Sequence, residues 1–311
     1  LYYAQSSASG KRFWFHTKPN INILINQAKG DIKADDITAE ILQRIKQRTR
    51  NVQVFTVLPD PSEEIPEQLK PTLLVLSPVH LGNPNGVNGN SLPIIERIAT
   101  RKGNSERIYR NTMLFLVCSE LGIGKLQAET REYLACQKIQ TEYHSQLETE
   151  QRQDIRKRIE DASKSVDGYL VAAYSIIVKY SVKNGASVLQ IRQFRDTLDN
   201  QLNTHILEAL KEEEWLLDAI GLGTLRNNNL LPSIDTAIRT KDIYEAFLRF
   251  DDKPMITNKE AVVRSIKKYC GSGDFCVAVG DGVSFSRYYC QEALPFFDVE
   301  DPSYWLIDKS L

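Results

Sequence analysis

The apolar residues of the first 125 positions fall into two kinds of pattern. Short continuous runs predict β-strands, at Phe13–Phe15, Val52–Val57, Leu73–Leu76 and Met113–Cys118. Apolar residues spaced by three and four predict amphipathic helices, which open at Pro19, at about Ala34 and at Ser91. A polar Gly- and Asn-rich loop is expected at Gly82–Asn90. The alternation predicts an α/β domain over residues 1–125, built on a mostly parallel, layered sheet.

Residues 126–222 follow a different pattern, one of long helices. Apolar positions step by threes and fours from Ile155 to Ala173 and lead into the apolar run Ser175–Val178. Asn184–Gly185 marks a turn, and helices are expected to resume from about Val188 to Ile220. These residues therefore predict a long-helix region.

The last segment, 223–311, predicts a small α+β module. Three short helices are followed by the apolar run Phe275–Val279, a Gly-Asp-Gly turn and a second run, Ser284–Cys290. Two helices followed by a short hairpin are typical of a winged-helix module.

Composition and charge limit the function classes. The chain has 311 residues and a net charge of -1, so any surface that attracts nucleic acid must be local. No apolar run approaches the roughly 20 residues that span a bilayer, so we expect no membrane partner. The cysteine usage described below predicts a cytoplasmic protein. The chain begins with Leu1 and ends in the apolar Tyr304–Ile307 segment, which predicts a piece of a longer polypeptide.

Five widely spaced cysteines do not form a disulfide framework, and reduced thiols are the simplest expectation. Cys270, Cys276 and Cys290 lack a clear fourth ligand for zinc. We therefore expect them to line the core of the C-terminal hairpin and expect no metal site in the chain.

Candidate phosphate-binding residues lie in the N-terminal phrase Arg12–Asn22. Arg12 or Lys18 could reach a phosphate at a sheet edge, since charge-assisted hydrogen bonds favour phosphate. The alternative is a short strand with solvated cations at its flanks. Asn20 is a further polar candidate in this phrase, for a nucleotide or for an enzyme cleft.

A second set of candidates flanks the predicted strand Met113–Cys118. Arg110 and Asn111 precede it, and Ser119 and Glu120 follow it. Ligand groups gather at the carboxyl ends of strands, which favours Ser119 and Glu120 over Asn111. The alternative is that Arg107 and Arg110 are surface charges on a loop and that Glu120 begins a helix cap.

One short helix carries candidates for DNA contact. Arg264, Lys267 and Lys268 share one face of the predicted helix Lys259–Tyr269, as in a recognition helix. A solvated helix face would look the same. The acidic residues Asp298, Glu300 and Asp301 lie nearby in the chain and weaken the case for DNA.

Four phrases of the chain, taken in order, resemble a known family. They are the Arg-Phe-Trp-Phe phrase at Arg12–Asn22, Leu74–Pro78, Tyr109–Leu116 and Glu132–Ile139. Together they resemble domain of unknown function 499, a family of large predicted ATPases of bacteria and archaea. These are similar to the ATPases of phage-exclusion systems and are often encoded beside DNA methyltransferases and helicases. Cys136-Gln137 stands where relatives commonly have Trp-Lys.

The resemblance implies the carboxyl-terminal portion of an AAA-type, P-loop-related ATPase linked to phage defence or DNA modification. In that family the Walker A loop lies upstream, and no Gly-rich Lys-Ser/Thr loop occurs in this chain. ATP and magnesium are therefore expected for the parent protein, with no cofactor here. The partners implied are the rest of the parent ATPase, DNA, and a methyltransferase or helicase.

The function predicted is a non-catalytic regulatory and interaction region, not an enzyme that is active alone. One alternative is a protein-interaction scaffold without nucleic-acid contact. Another is a stand-alone α/β enzyme of unknown substrate that uses Asn20, Asn22, Arg110 or Glu120 in a cleft, although the sequence supplies no evident pair of nucleophile and base.

Overall fold

A computed structural model describes residues 3–6, 13–16, 20–50, 52–61, 64–194 and 201–310, with the backbone alone for the first two segments. The helices in these residues are α1 (Ile21–Asp31), α2 (Ala34–Thr49), α3 (Ser91–Thr100), α4 (Ile123–Glu142), α5 (Thr149–Ala173), α6 (Leu202–Glu212), α7 (Leu222–Asn227), α8 (Thr240–Arg249) and α9 (Glu260–Gly271).

The strands are short except in the middle of the chain. In order they are β1 (Tyr3–Ser6), β2 (Phe13–His16), β3 (Thr56–Pro59), β4 (Thr72–Val75), β5 (Leu81–Asn83), β6 (Gly86–Val87), β7 (Arg101–Lys102), β8 (Ser105–Glu106), β9 (Met113–Ser119), β10 (Ile176–Lys183), β11 (Ala186–Gln193), β12 (Leu216–Leu217), β13 (Ile238–Arg239), β14 (Met255–Ile256), β15 (Cys276–Gly280), β16 (Phe285–Tyr289) and β17 (Tyr304–Ile307).

The main sheet has the strand order β11-β10-β9-β4-β3. Strands β3, β4 and β9 run parallel, and β5 joins β9 in parallel near its carboxyl end. Strands β10 and β11 extend the sheet in antiparallel fashion. The predicted α/β class with a layered sheet is confirmed.

Strand β9 explains the layering. All seven of its residues are buried, because both faces of the sheet are covered. Leu114, Leu116 and Cys118 pack in one cluster with residues of α2, α4, α5 and α6. Met113, Phe115 and Val117 pack in a second cluster with residues of α3. The boundary predicted at residue 125 therefore falls inside α4, and Leu126 of that helix packs in the same hydrophobic cluster as β9.

Two of the elements predicted for the first 125 residues differ from the structure. The strand predicted at Val52–Val57 begins only at Thr56, because Val54 has a φ of 79° and the residues before the strand form a turn. Within the loop predicted at Gly82–Asn90, Gly82 and Asn83 pair with Val87 and Gly86 in the β5–β6 hairpin. The helix at Ser91 is present, and the side chain of Asn88 accepts a hydrogen bond from the Ser91 amide at its start.

The helix expected from Val188 is a strand instead. Asn184 (φ 53°) and Gly185 (φ 77°) form a two-residue turn that pairs Lys183 with Ala186. An Asn-Gly pair favours this hairpin because both residues tolerate positive φ and the turn matches the twist of paired strands. Strand β11 therefore folds back along β10, and the helical pattern resumes only with α6.

The C-terminal module contains α7, α8 and α9 and the antiparallel sheet β13-β17-β15-β16. The helices and the β15–β16 hairpin confirm the winged-helix-like pattern, and the Tyr304–Ile307 segment forms the inner strand β17. Cys276, the first residue of β15, forms a disulfide with Cys290, which follows β16, so the expectation of reduced thiols is wrong for this pair. Cys290 is exposed and does not line the core as expected. Cys118, Cys136 and Cys270 are free and buried.

A buried amide joins the module to the main sheet. Asn111, which is 2% exposed, precedes β9, and its side-chain nitrogen donates to the carbonyls of Phe247 (2.8 Å) and Pro254 (3.1 Å). Both carbonyls belong to the end of α8 and the segment that follows it. A single side chain therefore satisfies backbone groups that are 136 and 143 residues away in the chain.

Replacing Asn111 with Asp tests this contact with almost no change in shape. The carboxylate cannot donate, and it would place negative charge against two carbonyl oxygens. We expect the free energy of unfolding to fall by at least the roughly 1–3 kcal/mol that leaving buried polar groups unsatisfied costs. Urea denaturation measures it, with Asn104→Asp in the exposed β7–β8 turn as control. Equal stability of the two variants would contradict the role assigned to Asn111.

Candidate functional site

The residues predicted to lie near a nucleotide do not come together. Arg110 and Asn111 precede β9, whereas Ser119 ends the strand and Glu120 follows it. Seven strand residues span roughly 20 Å, so the two groups lie at opposite edges of the sheet. Arg12 and Lys18 lie outside the described residues, and the prediction for them stays a prediction.

At the carboxyl edge, the candidate side chains make local contacts. Ser119 is buried, and its hydroxyl accepts a hydrogen bond from the amide of Leu121 at 3.3 Å. Glu120 accepts one from the side chain of Asn83 at 3.0 Å, which fastens the β5–β6 hairpin to the end of β9. Asn20 caps α1, because its side chain accepts from the amide of Asn22 at 2.9 Å. These contacts stabilise turns and a helix end.

The amino edge of β9 is organised by Arg107. Its buried guanidinium donates to the carbonyls of Ile98 (3.0 Å), Ile65 (2.9 Å), Pro66 (3.1 Å) and Arg101 (3.2 Å). A guanidinium with this many acceptors holds the turn before β9 in one position. Arg110 follows within that turn, with 29% of its side chain exposed and Glu106 as its carboxylate partner at 3.2 Å.

Strand β10 contributes a buried cation to the same edge. Lys179 is 3% exposed, and its ammonium group donates to the carbonyl of Lys253. Burial lowers the pKa of Lys179 to about 8, against the opposing effect of Asp251 and Asp252. Asp251 is also buried; it accepts from the amide of Val182 at 3.2 Å, and burial raises its pKa.

These elements enclose a groove, which we call the module groove. It has a volume of about 1070 Å³ and lies between the β10–β11 turn, the residues before β9 and the ends of α7 and α8. Cations at Arg110, Lys183 and Arg249 line it, together with Asp251 and Asp252. A smaller pocket of about 300 Å³, with Trp215 in its wall, shares Gln190, Asn227, Asn228 and Asp252 with it, so the two lie side by side.

Apolar side chains at the module groove are unusually open to solvent. Ile108 is 55% exposed and Phe250 is 54% exposed, and both line it. Sequence reasoning singled out Arg110 in this groove but missed Lys179, Lys183, Arg249 and Phe250. The only sequence signal was a charged run after α8, Asp251–Lys253, which is also typical of any solvated turn.

The predicted DNA-contact residues lie on α9. Arg264 and Lys268 are exposed and Lys267 is half-buried. Arg264 donates to the carbonyl of Asp218 at 2.7 Å and to that of Glu260 at 3.2 Å, so part of its hydrogen-bonding capacity is already used.

The start of α9 is surrounded by carboxylates. The ammonium group of Lys259 lies 3.1 Å from carboxylate oxygens of both Asp298 and Glu300, and Glu260 is the first helical residue. The N-terminal end of a recognition helix usually faces the bases, where carboxylates would oppose the phosphates. This environment disfavours docking by that end of α9.

Comparisons with known proteins add no assignment: the chain matches no protein-family model, no curated protein and no solved structure. Within the described residues, no helix is long and apolar enough to cross a membrane. The same residues contain no group of three or more His, Cys, Asp or Glu side chains that could hold a metal ion.

The buried ammonium of Lys179 makes the stability of the protein depend on pH. Below about pH 8 the residue is protonated in both states, and folding carries the full cost of burying the charge. Above pH 8 the folded state loses this proton while the unfolded state keeps it, up to the ordinary pKa of 10.5. We therefore expect the wild type to gain about 3 kcal/mol relative to Lys179→Met between these values.

Chemical denaturation of both proteins from pH 7 to 10.5 measures this difference, and the subtraction removes the contribution of the tyrosines. Lys183→Met is the matched control, because Lys183 is an exposed residue of the same strand. Parallel stability curves for the wild type and Lys179→Met would contradict a lowered pKa at this position.

Proposed function

We propose that this chain is a non-catalytic regulatory and interaction region of a larger nucleotide-driven ATPase. In this proposal, the module groove is the surface that binds a protein partner. The observation that carries the proposal is the combination of exposed apolar side chains and cations in one groove, Ile108 and Phe250 beside Arg110, Lys183 and Arg249.

The walls of the groove are held together by buried polar contacts. Asn111 donates to the carbonyls of Phe247 and Pro254, Lys179 donates to that of Lys253, and Asp251 accepts from Val182. Breaking any of these bonds would leave a polar group unpaired in the interior. The free-energy cost of such an unpaired group exceeds the net stabilisation that the hydrogen bond provides. A partner bound in the groove would therefore act on the main sheet and the C-terminal module as one unit, as regulation requires.

The chemistry of the groove favours an extended peptide with acidic and apolar residues. Arg249 pairs with Glu245 at 2.6 Å and Arg110 with Glu106 at 3.2 Å, in each case four residues apart. Exposed pairs of this kind contribute little free energy, so a partner carboxylate can replace the local one. Phe250 and Ile108 then provide the apolar contact that anchors a peptide.

Nucleic acid is less well matched to the same groove. Asp251 and Asp252 line it and would lie near phosphates. Between residues 223 and 311 there are 11 Lys and Arg against 13 Asp and Glu, so the module has no overall positive charge. DNA contact through Arg264, Lys267 and Lys268 is the second candidate, favoured by the exposure of Arg264 and Lys268 on the second helix of a helix-helix-hairpin unit.

Selection of peptides from a random displayed library on the immobilised protein tests the groove. We expect the enriched peptides to combine acidic with apolar residues, and synthetic copies to bind in fluorescence anisotropy. Lys183→Glu with Arg249→Glu, and separately Phe250→Ser, should weaken binding by about tenfold or more, as loss of an interface anchor costs roughly 2 kcal/mol.

The matched control is Arg131→Glu with Lys157→Glu, which reverses the same number of charges at exposed positions of α4 and α5. Peptides that bind all variants equally would contradict the assignment of the groove. Tight binding and turnover of MgATP by this chain alone would contradict the non-catalytic assignment.

A salt series with duplex and single-stranded DNA separates the two candidates. We expect no salt-sensitive binding, because carboxylates surround the start of α9. Each phosphate contact would otherwise contribute a slope of about -0.9 to the logarithmic dependence of affinity on salt. Binding that weakens with salt and disappears in the triple variant Arg264→Glu, Lys267→Glu, Lys268→Glu would instead support DNA contact by the module.

A further inference from the structure

Strand β11 forms one outer edge of the main sheet. It has eight residues, Ala186–Gln193, and among the described residues it pairs with β10 alone. Unpaired edge strands are usually short, bulged, or interrupted by proline or charge. The opposite edge follows this rule, since β3 has four residues and ends in Pro59. Strand β11 has no proline, no register shift and a single charge, Arg192.

The pairing with β10 determines which backbone groups of β11 point outward. The amide of Phe194 donates to the carbonyl of Ser175 at 3.0 Å, so these two residues form a hydrogen-bonded pair. Hydrogen-bonded pairs alternate along an antiparallel ladder, which makes Arg192, Gln190 and Val188 the bonded partners of β10. The amides and carbonyls of the residues between them point away from β10, namely those of Ser187, Leu189, Ile191 and Gln193.

The outward edge is complementary to itself. If two copies of β11 run antiparallel with Gln190 facing Gln190, the outward groups of Leu189 lie opposite those of Ile191, and those of Ser187 opposite those of Gln193. Arg192 then faces Val188 of the other copy, so no like charges meet. Leu189 and Ile191 are half-buried beside the core on the α3 side, and pairing would cover their remaining surface.

We propose that β11 is a homodimerisation strand, which joins the main sheets of two copies of this chain into one continuous sheet about a two-fold axis at Gln190. Pairing at an edge satisfies main-chain donors and acceptors that otherwise bond only to water. An isologous contact of this kind closes after two copies, so it produces a dimer and not a fibre.

Charge placed at the axis tests the dimer. Gln190 is exposed, so Gln190→Lys and Gln190→Glu leave the core intact, yet each places two like charges opposite each other. By sedimentation velocity, we expect the wild type to be dimeric and each variant to show half that mass. An equal mixture of the two variants should recover the dimer, because Lys then faces Glu, and native mass spectrometry should identify it as a heterodimer.

Gln153→Lys and Gln153→Glu on the exposed surface of α5 are the matched controls and should remain dimeric. Hydrogen exchange provides a second measurement: the amides of Leu189 and Ile191 should be protected in the wild type and lose that protection in Gln190→Lys. A monomeric wild type, a dimer unaffected by charge at Gln190, or a mixture that stays monomeric would overturn the proposal. Protection of these amides only when a peptide is added would assign the edge to an extended peptide instead.

Discussion

The rest of the structure depends on one constraint: the backbone amides and carbonyls buried at the amino edge of the main sheet must each have a hydrogen-bond partner. The C-terminal module covers this edge and removes water from carbonyls that follow α8. Asn111 and Lys179 replace that water as donors to Phe247, Pro254 and Lys253. Strand β10 extends beyond the start of β9, so the amide of Val182 has no acceptor on a neighbouring strand. The carboxylate of Asp251 accepts its hydrogen bond instead. Met255 and Tyr109 add apolar packing to this contact between the two parts, and the polar bonds fix its geometry because hydrogen bonds are directional.

The parts of the fold that follow from local pattern were predictable. Strands β4 and β9 are continuous apolar runs because both faces of the sheet are covered, and α2 carries its apolar residues on one face. Strand β11 is not evident from the sequence because Val188, Leu189 and Ile191 also fit helical spacing, and the turn at Asn184–Gly185 does not by itself show that a strand follows. The disulfide was missed because sequence spacing does not show that Cys276 and Cys290 face each other across a hairpin.

The candidate site was much less predictable than the fold. Arg107 and Asn111 are polar residues before a buried strand, which is a reasonable position for ligand groups. Their partners, however, are carbonyls, and every residue type carries one. No sequence pattern shows that Asn111 meets Phe247, 136 residues away. The rule that ligands gather at the carboxyl ends of strands also led away from the amino edge, where the module creates a groove that a sheet alone does not have.

The groove is a geometric consequence of how the module is joined to the sheet. The contact combines the polar bonds of Asn111, Lys179 and Asp251 with apolar packing by Met255 and Tyr109, and the module groove lies beside it. The side chains at the margin, Phe250 and Ile108, stay half-exposed although they flank a buried contact. Their apolar surface, and the cations beside it, are then available to a partner without loosening the polar contacts that hold the module. In the proposed interaction, binding and internal stability would therefore use different groups.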